Sequence, residues 1–216
     1  MSLWPLNQIA NDTQYYVRDA VIDYITAMGT VSPAIEGRLQ FITDTSAPVI
    51  TITSPTAKTY LHSEFLTLNF GAVDVGSAGL AKVKADIDGT PVVTGQVIDL
   101  LTLTAGNHKL TVNAVDKATN ASTASVTFSV EVSVMSLKGS VDRFYAEGKI
   151  TKATVRDSLL AQLTAAQASI NAGNKKQATS QLNAFISLVK AQSGKSITTT
   201  AANLLITDAR YVIAHL

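Results

Sequence analysis

The stretch Gly106–Asn120, GNHKLTVNAVDKATN, decides the fold of the first half of the chain. Its apolar and polar residues alternate, which is the period of a β-strand with one buried face. A glycine opens the stretch, and a polar turn that contains aspartate closes it. We predict a central strand of a β-sandwich here. The residues expected to face inward are Leu110, Val112 and Ala114, and those expected to face outward are Lys109, Thr111 and Asn113.

The residues around this strand also favour β-structure, from the polar boundary at Asp44–Pro48 to about residue 134. Turn signals separate seven short β-rich runs, about one every dozen residues, which is typical of an immunoglobulin-like sandwich. Phe65–Ala72 is predicted as one strand with Leu66, Leu68 and Phe70 on the same face. Pro91–Leu103 is expected to form one or two short edge strands.

After Leu137 the apolar residues recur with a helical period instead. Gly148, the run Asn171–Asn174 and Gly194 divide this part into four amphipathic helices. Because the connections are short, these helices must be antiparallel neighbours around one core. The connection Ser133–Lys138 is also short, so we expect little hinge freedom there.

The first 43 residues have a mixed pattern. Spacings of three and four predict an amphipathic helix over Thr13–Met28, and Ile35, Leu39 and Phe41 predict a short strand. We interpret this segment as the end of a preceding domain. The predicted fold class is therefore multi-domain α and β: a mixed segment (1–43), an immunoglobulin-like β-sandwich (44–134) and a small helical bundle (135–216).

Composition excludes several classes of function. The net charge is +1 and basic residues are scattered, so no basic stripe exists for nucleic acid, and we predict no nucleic-acid partner. No run is apolar enough to cross a bilayer, so we predict no membrane insertion. Charged residues make up only 15% of the chain, which suits a protein that works outside the cell. Because Cys is absent, disulfides and thiolate metal sites are excluded. The start lacks the features of a signal peptide, and we expect an internal piece of a longer secreted chain.

The chemical groups of the sequence do not suggest a complete enzyme. No Gly-x-Ser-x-Gly, HExxH, phosphate-binding or dinucleotide-binding motif is present. The three histidines, at positions 62, 108 and 215, are expected to have structural roles. We therefore predict no enzyme, and no catalytic, cofactor-binding or metal-binding residue.

Two alternatives remain open. Aspartates near turns of the sandwich could share a calcium ion, since hard cations prefer carboxylate oxygens, or each could cap its own turn; they are Asp44, Asp74, Asp86, Asp88 and Asp116. Several aromatic residues could stack on a carbohydrate or could simply pack in cores; they are Trp4, Tyr15, Tyr16, Tyr24 and Tyr60.

The pattern Asp-Thr-x-Ala-Pro-x-Ile from Asp44, followed by Gly-x-His-x-Leu-x-Val-x-Ala-x-Asp-x-Ala-x-Asn from Gly106, resembles bacterial immunoglobulin-like domains of secreted and surface proteins. Thr119 stands where these domains usually have Gly. The resemblance implies a sandwich fold over roughly residues 44–134 and says almost nothing of function.

The second half is similar to the FIMAH domain, most specifically at Gln181–Ile186, QLNAFI. This resemblance implies an exported, multi-domain parent and transfers no functional residue. We expect a non-catalytic C-terminal accessory region of a larger exported bacterial protein, which the resemblance implies is a hydrolase, located outside the cell or on its surface. It would serve as spacer and attachment module beside the catalytic domain of the same chain. The alternatives are a module that binds polysaccharide or cell-wall polymer, and a small stand-alone enzyme.

Overall fold

The computed structural model describes residues 44–216 and two short strands before them, β1 (Tyr15–Val17) and β2 (Phe41–Thr43), which pair antiparallel. The helix predicted over Thr13–Met28 is wrong at β1. Tyr-Tyr-Val is a run of aromatic and β-branched residues, which fit strands well, and this preference outweighs the helical spacing. The rest of that helix, and Ile35 and Leu39 of the predicted strand, lie outside the described residues.

Nine strands then precede the helices in the described chain. A five-stranded sheet has the order β4-β11-β10-β7-β8, and two pairs, β3–β6 and β5–β9, complete the β-structure of these residues. The strands are β3 (Val49–Ser54), β4 (Thr59–Leu61), β5 (Phe65–Thr67), β6 (Asn69–Val73), β7 (Leu80–Ile87), β8 (Thr90–Val92), β9 (Val97–Asp99), β10 (Gly106–Asp116) and β11 (Ala121–Glu131). Sheets followed by helices confirm the mixed α and β class, while the immunoglobulin-like topology stays a prediction.

The strand predicted at Gly106–Asn120 is confirmed as β10. Its inward residues are fully buried and its outward residues are at least partly exposed, as expected. β10 pairs antiparallel with β7, with Leu110 opposite Ile87, and the register shifts between Val115 and Asp116. This shift lies where the strand reaches the aspartate turn.

The single strand predicted at Phe65–Ala72 is wrong, although its buried face is right. The chain forms β5 and β6, which pair with different partners, β9 and β3. Leu68 separates them because its N–H donates to Gln96 O (2.9 Å) and its carbonyl accepts from Gly95 N (2.8 Å), both in the loop before β9.

Four helices follow, with the boundaries that the glycines predicted. Ser133 and Ser136 form a capping box at the start of the first, and Gly148 follows its end with a φ of 71°, a conformation that glycine adopts without steric cost. Each helix packs against two others. They are α1 (Val134–Ala146), α2 (Ala153–Asn171), α3 (Lys175–Gln192) and α4 (Thr199–Ala214). None of these described helices is both long and apolar enough to cross a membrane.

The chain forms two compact units. The first contains Asn69–Thr94 and Leu110–Val126 with the described residues before Ser54, and the second contains Ser54–Leu68, Gly95–Lys109 and Thr127–Leu216. The core of the second unit includes the helix side chains and also Leu101, from the 3-10 turn Leu100–Thr102. Helices begin at the border predicted between residues 134 and 135, but the domain assignment itself stays a prediction.

Candidate functional site

Three aspartates converge in the first unit. One carboxylate oxygen from each of Asp44, Asp74 and Asp116 lies within 4.8 Å of the other two. Asp44 and Asp116 are buried and Asp74 is half-buried. Asp44 precedes β3, Asp74 follows β6, and Asp116 ends β10, so three turns bring these residues together. Asp86 and Asp88, also considered as calcium ligands, lie apart from this cluster; Asp86 accepts from Gly89 N (2.9 Å).

Each of the six carboxylate oxygens accepts a hydrogen bond. Asp44 accepts from Ser46 N (3.0 Å) and Ala78 N (2.7 Å), and these bonds hold the pKa of Asp44 below its ordinary value. Asp74 accepts from two glycine N–H groups, those of Gly76 (3.2 Å) and Gly79 (2.6 Å). The prediction that each aspartate caps a turn therefore describes the bonds of all three.

Asp116 and Asn120 connect the turns. The backbone N–H and the amide of Asn120 donate to Asp116, each at 2.8 Å, and the amide also donates to the carbonyl of Asp44 (2.9 Å). Gly76 fits closely beside Asp44, because a Cβ on Gly76 would lie 2.1 Å from its Oδ1. Within residues 44–216 no lysine or arginine forms an ion pair with the three carboxylates. Oxygen donors of this kind suit a hard cation such as calcium.

A buried ion pair lies in the second unit. His62, just after β4, has its Nδ1 2.9 Å from Oδ2 of Asp208 in α4, and its Nε2 is 3.0 Å from the carbonyl of Leu103. Both neighbours of the ring are acceptors, so both ring nitrogens donate when His62 is an imidazolium. Burial by itself lowers the pKa of His62, but the hydrogen bond and charge of Asp208, together with the smaller effects of Leu103 and Asp99, raise the pKa above 6.5.

A second polar link joins α1 to the residues before the 3-10 turn. The guanidinium of Arg143 is bidentate with Asp99, at 2.8 Å and 2.5 Å, and its Nε donates to Glu147 (2.8 Å). The Arg143 side chain is 12% exposed and lies over the ring of Phe65, 3.8 Å from the centroid. The bond from Arg143 lowers the pKa of Asp99.

The remaining histidines and Tyr60 have structural contacts. His108 Nε2 bonds to Thr104 O (2.9 Å), and His215 Nδ1 bonds to Tyr211 O (2.7 Å) at the end of α4. Tyr60 is buried edge-on against Phe128, so it packs in a core and does not form a carbohydrate platform. Trp4 and Tyr24 lie outside the described residues, as do the side chains of Tyr15 and Tyr16.

A groove of about 510 Å³ opens in the second unit, with a volume in the range of small-molecule sites. Apolar side chains form much of its wall, including Met135, which is 65% exposed. Its polar groups come from Glu131, Gln167 and His215 together with Ser133.

Sequence patterns alone indicated some of these residues. The aspartates were named from their turns, but the pairs His62–Asp208 and Asp99–Arg143 were not anticipated. The available signal was Asp208 itself, a lone carboxylate on the same helical face as Leu205, Ala209 and Val212. Such a position demands a buried partner, although it does not say which one.

Fold and contacts together define a β-rich region followed by a four-helix domain. The three histidines and Arg143 all have structural partners among the described residues. Residues 134–214 match the sequence model of the FIMAH domain. This match confirms the resemblance of the helical part of the chain to the FIMAH domain. FIMAH is a family of non-catalytic accessory domains found in surface or secreted bacterial proteins. No curated protein matches the chain.

Proposed function

We propose that this chain is a non-catalytic C-terminal accessory region of a larger exported bacterial protein, a hydrolase, and that it acts as spacer and attachment module at the cell surface. The observation that carries the proposal is the FIMAH domain at residues 134–214. An accessory domain acts through its position and surface, so its mechanism is geometric.

The second unit has the contacts that a rigid spacer needs. Asp208 anchors His62 to α4, and Asp99 anchors Arg143 of α1 to the segment before the 3-10 turn. Gly139 of α1 also approaches Ser63 closely, since a Cβ there would lie 2.4 Å from Ser63 Oγ. Breaking any of these contacts would leave a buried polar group unpaired or open a gap, so the helices and these β segments should move as one body.

The polar side chains of this unit support the same proposal. A general base needs a ring nitrogen within reach of a substrate, but both nitrogens of His62 face protein oxygens inside the core. Arg143 is likewise engaged by two carboxylates. These groups stabilise the unit and are not available for proton transfer.

The coding sequence upstream of residue 1 tests the proposal. We expect an open reading frame that continues into a catalytic domain and, before it, a signal peptide. A start codon at Met1 with no export signal would contradict both the parent protein and the location outside the cell.

The groove beside Met135 supports a second candidate, a module that binds polysaccharide or cell-wall polymer. Pull-down on insoluble cellulose, chitin and peptidoglycan separates the two functions. For a binding module we expect retention that Met135→Glu abolishes, with Val73→Glu, at an equally exposed position of the first unit, as the matched control. Equal retention of the two variants, or no retention of the wild type, favours the spacer alone.

A further inference from the structure

The charges of this chain are divided unevenly along its length. Residues 134–216 contain ten Lys and Arg and four Asp and Glu, a net charge of +6, whereas residues 1–133 contain seven and twelve, a net charge of −5. The overall charge of +1 hides this asymmetry. A cationic domain in a nearly neutral chain is a feature of proteins with an anionic partner.

Most of the cations of the helical domain are not neutralised within the described residues. Arg143, Lys149 and Arg156 form ion pairs with carboxylates of the same domain. Six others are exposed and form no ion pair with a side-chain carboxylate in residues 44–216: Lys152, Lys175, Lys176, Lys190, Lys195 and Arg210.

Backbone bonds bring several of these cations to one end of the domain. Ile150 forms an antiparallel bridge with Ile197, and Thr151 N donates to Ser196 O (2.9 Å). Lys152, which precedes α2, and Lys195, which precedes α4, each lie two residues from this bridge. No side chain caps the start of α2, so the positive end of the α2 dipole adds positive charge to the same end of the domain. Lys190 lies in the last turn of α3, which leads into this loop.

Lys175 and Lys176 lie at the opposite end of α3, and the Lys175 ammonium contacts the carbonyl of Leu216. Lys176 and Lys190 are 14 residues apart in α3, so the two groups of cations are separated by roughly 21 Å, at 1.5 Å per residue. That separation exceeds the screening length of about 10 Å at 0.1 M salt, so the two ends act as independent binding points.

We propose that the helical domain, residues 134–216, docks on a linear anionic polymer of the cell surface whose charges are repeated phosphodiesters. A flexible polymer can contact both ends of the domain at once, whereas a DNA duplex requires a dense basic stripe along one face. This inference names the partner for the attachment role and so rests on the proposed function. The lysines supply the affinity by replacing the counterions of the phosphates.

Titration of the purified 216-residue chain with poly(glycerol phosphate) over a series of salt concentrations tests the inference. We expect the logarithm of the binding constant to fall linearly with the logarithm of the salt concentration. In the double variant Lys152→Gln/Lys195→Gln this slope should be less steep by about 1.4, which is about 0.7 for each of the two lost phosphate contacts. Lys82→Gln/Lys84→Gln, on the exposed face of β7, removes the same charge from the first unit and should leave the slope unchanged. Surface substitutions of this kind preserve the fold, which unfolding curves verify.

Four results would overturn the inference: no binding to poly(glycerol phosphate), equal losses in the two double variants, tighter binding to a DNA duplex or to phosphatidylglycerol vesicles, or salt-sensitive self-association without polymer binding. Neutral dextran provides the uncharged control. If the chain binds the polymer but proves to be a complete protein, the proposed parent protein is refuted and the proposed polymer-binding surface still stands. If the parent protein is confirmed but the chain does not bind the polymer, the polymer partner is refuted and the proposed function still stands.

Discussion

His62 and Asp208 are 146 residues apart in the sequence, and their side chains meet at 2.9 Å in the interior of the second unit. Their side chains are only 7% and 5% exposed. A buried pair of this kind is costly to break from one side, because the partner that remains stays buried without a counter-charge. The pair therefore makes the position of the loop after β4 dependent on α4.

Replacing Asp208 with Ala should lower the free energy of unfolding by about 3–5 kcal/mol, the usual cost of removing one member of a buried ion pair. Chemical denaturation measures this change. Asp157→Ala, at an exposed position of α2, is the matched control and should change stability by less than about 0.5 kcal/mol. Similar effects of the two substitutions would show that the pair contributes little.

The same pair predicts how stability depends on pH. Because the pKa of His62 is raised by folding, the folded state holds its proton more tightly than the unfolded state. The contribution of this pair to the free energy of unfolding is thus complete at pH values below the ordinary histidine pKa of 6.5. It is lost as the pH rises through the pKa of His62 in the folded state. We expect the free energy of unfolding of the wild type to fall across this range.

His62→Gln provides the control for this prediction. The variant should be less stable at every pH, but it should lack the decline above pH 6.5, because the titrating group is gone. Asp44, Asp99 and Glu147 have lowered pKa values, so their contributions are present at neutral pH and are lost as the solution becomes acidic. A wild-type decline that persists in His62→Gln would assign it to another group.

The aspartate cluster predicts a difference between two substitutions of the same kind. Asp116→Ala leaves the backbone N–H and one of the two amide N–H groups of Asn120 without an acceptor, and we expect the free energy of unfolding to fall by about 1–3 kcal/mol. Asp86→Ala removes one bond at the exposed turn before Gly89 and should cost about 1 kcal/mol or less. Denaturation curves of both variants give the comparison, and equal losses would contradict it.

Calcium is tested separately on the same cluster. Since all six oxygens already accept N–H bonds, we expect the melting temperature to be the same in calcium and in a chelator. A rise in calcium that Asp74→Asn removes would instead show that the three carboxylates hold the ion.

The fold could be predicted where the sequence pattern is repeated over many residues, as in β10 and the four helices. The prediction failed at β1, where three residues with strong β preference lie inside a helical spacing, and at Leu68, where a break depends on bonds to Gly95 and Gln96. Such bonds join residues far apart in the chain, which periodicity does not detect. For the same reason the aspartates were identified from their turns, whereas the partner of His62 was not.

Thr119 has a φ of 73°, a left-handed conformation that is costly for a β-branched residue. Glycine has no Cβ and adopts this conformation freely, so Thr119→Gly should be more stable than Thr119→Ala by about 1 kcal/mol. The comparison of Gly with Ala is the sharper one, because both lack the threonine hydroxyl and differ mainly in the Cβ. Thermal or chemical unfolding of the two variants measures it. If Ala proved as stable as Gly, the turn between Asp116 and Asn120 would have to relax away from the left-handed region, and its hydrogen bonds could not all be retained.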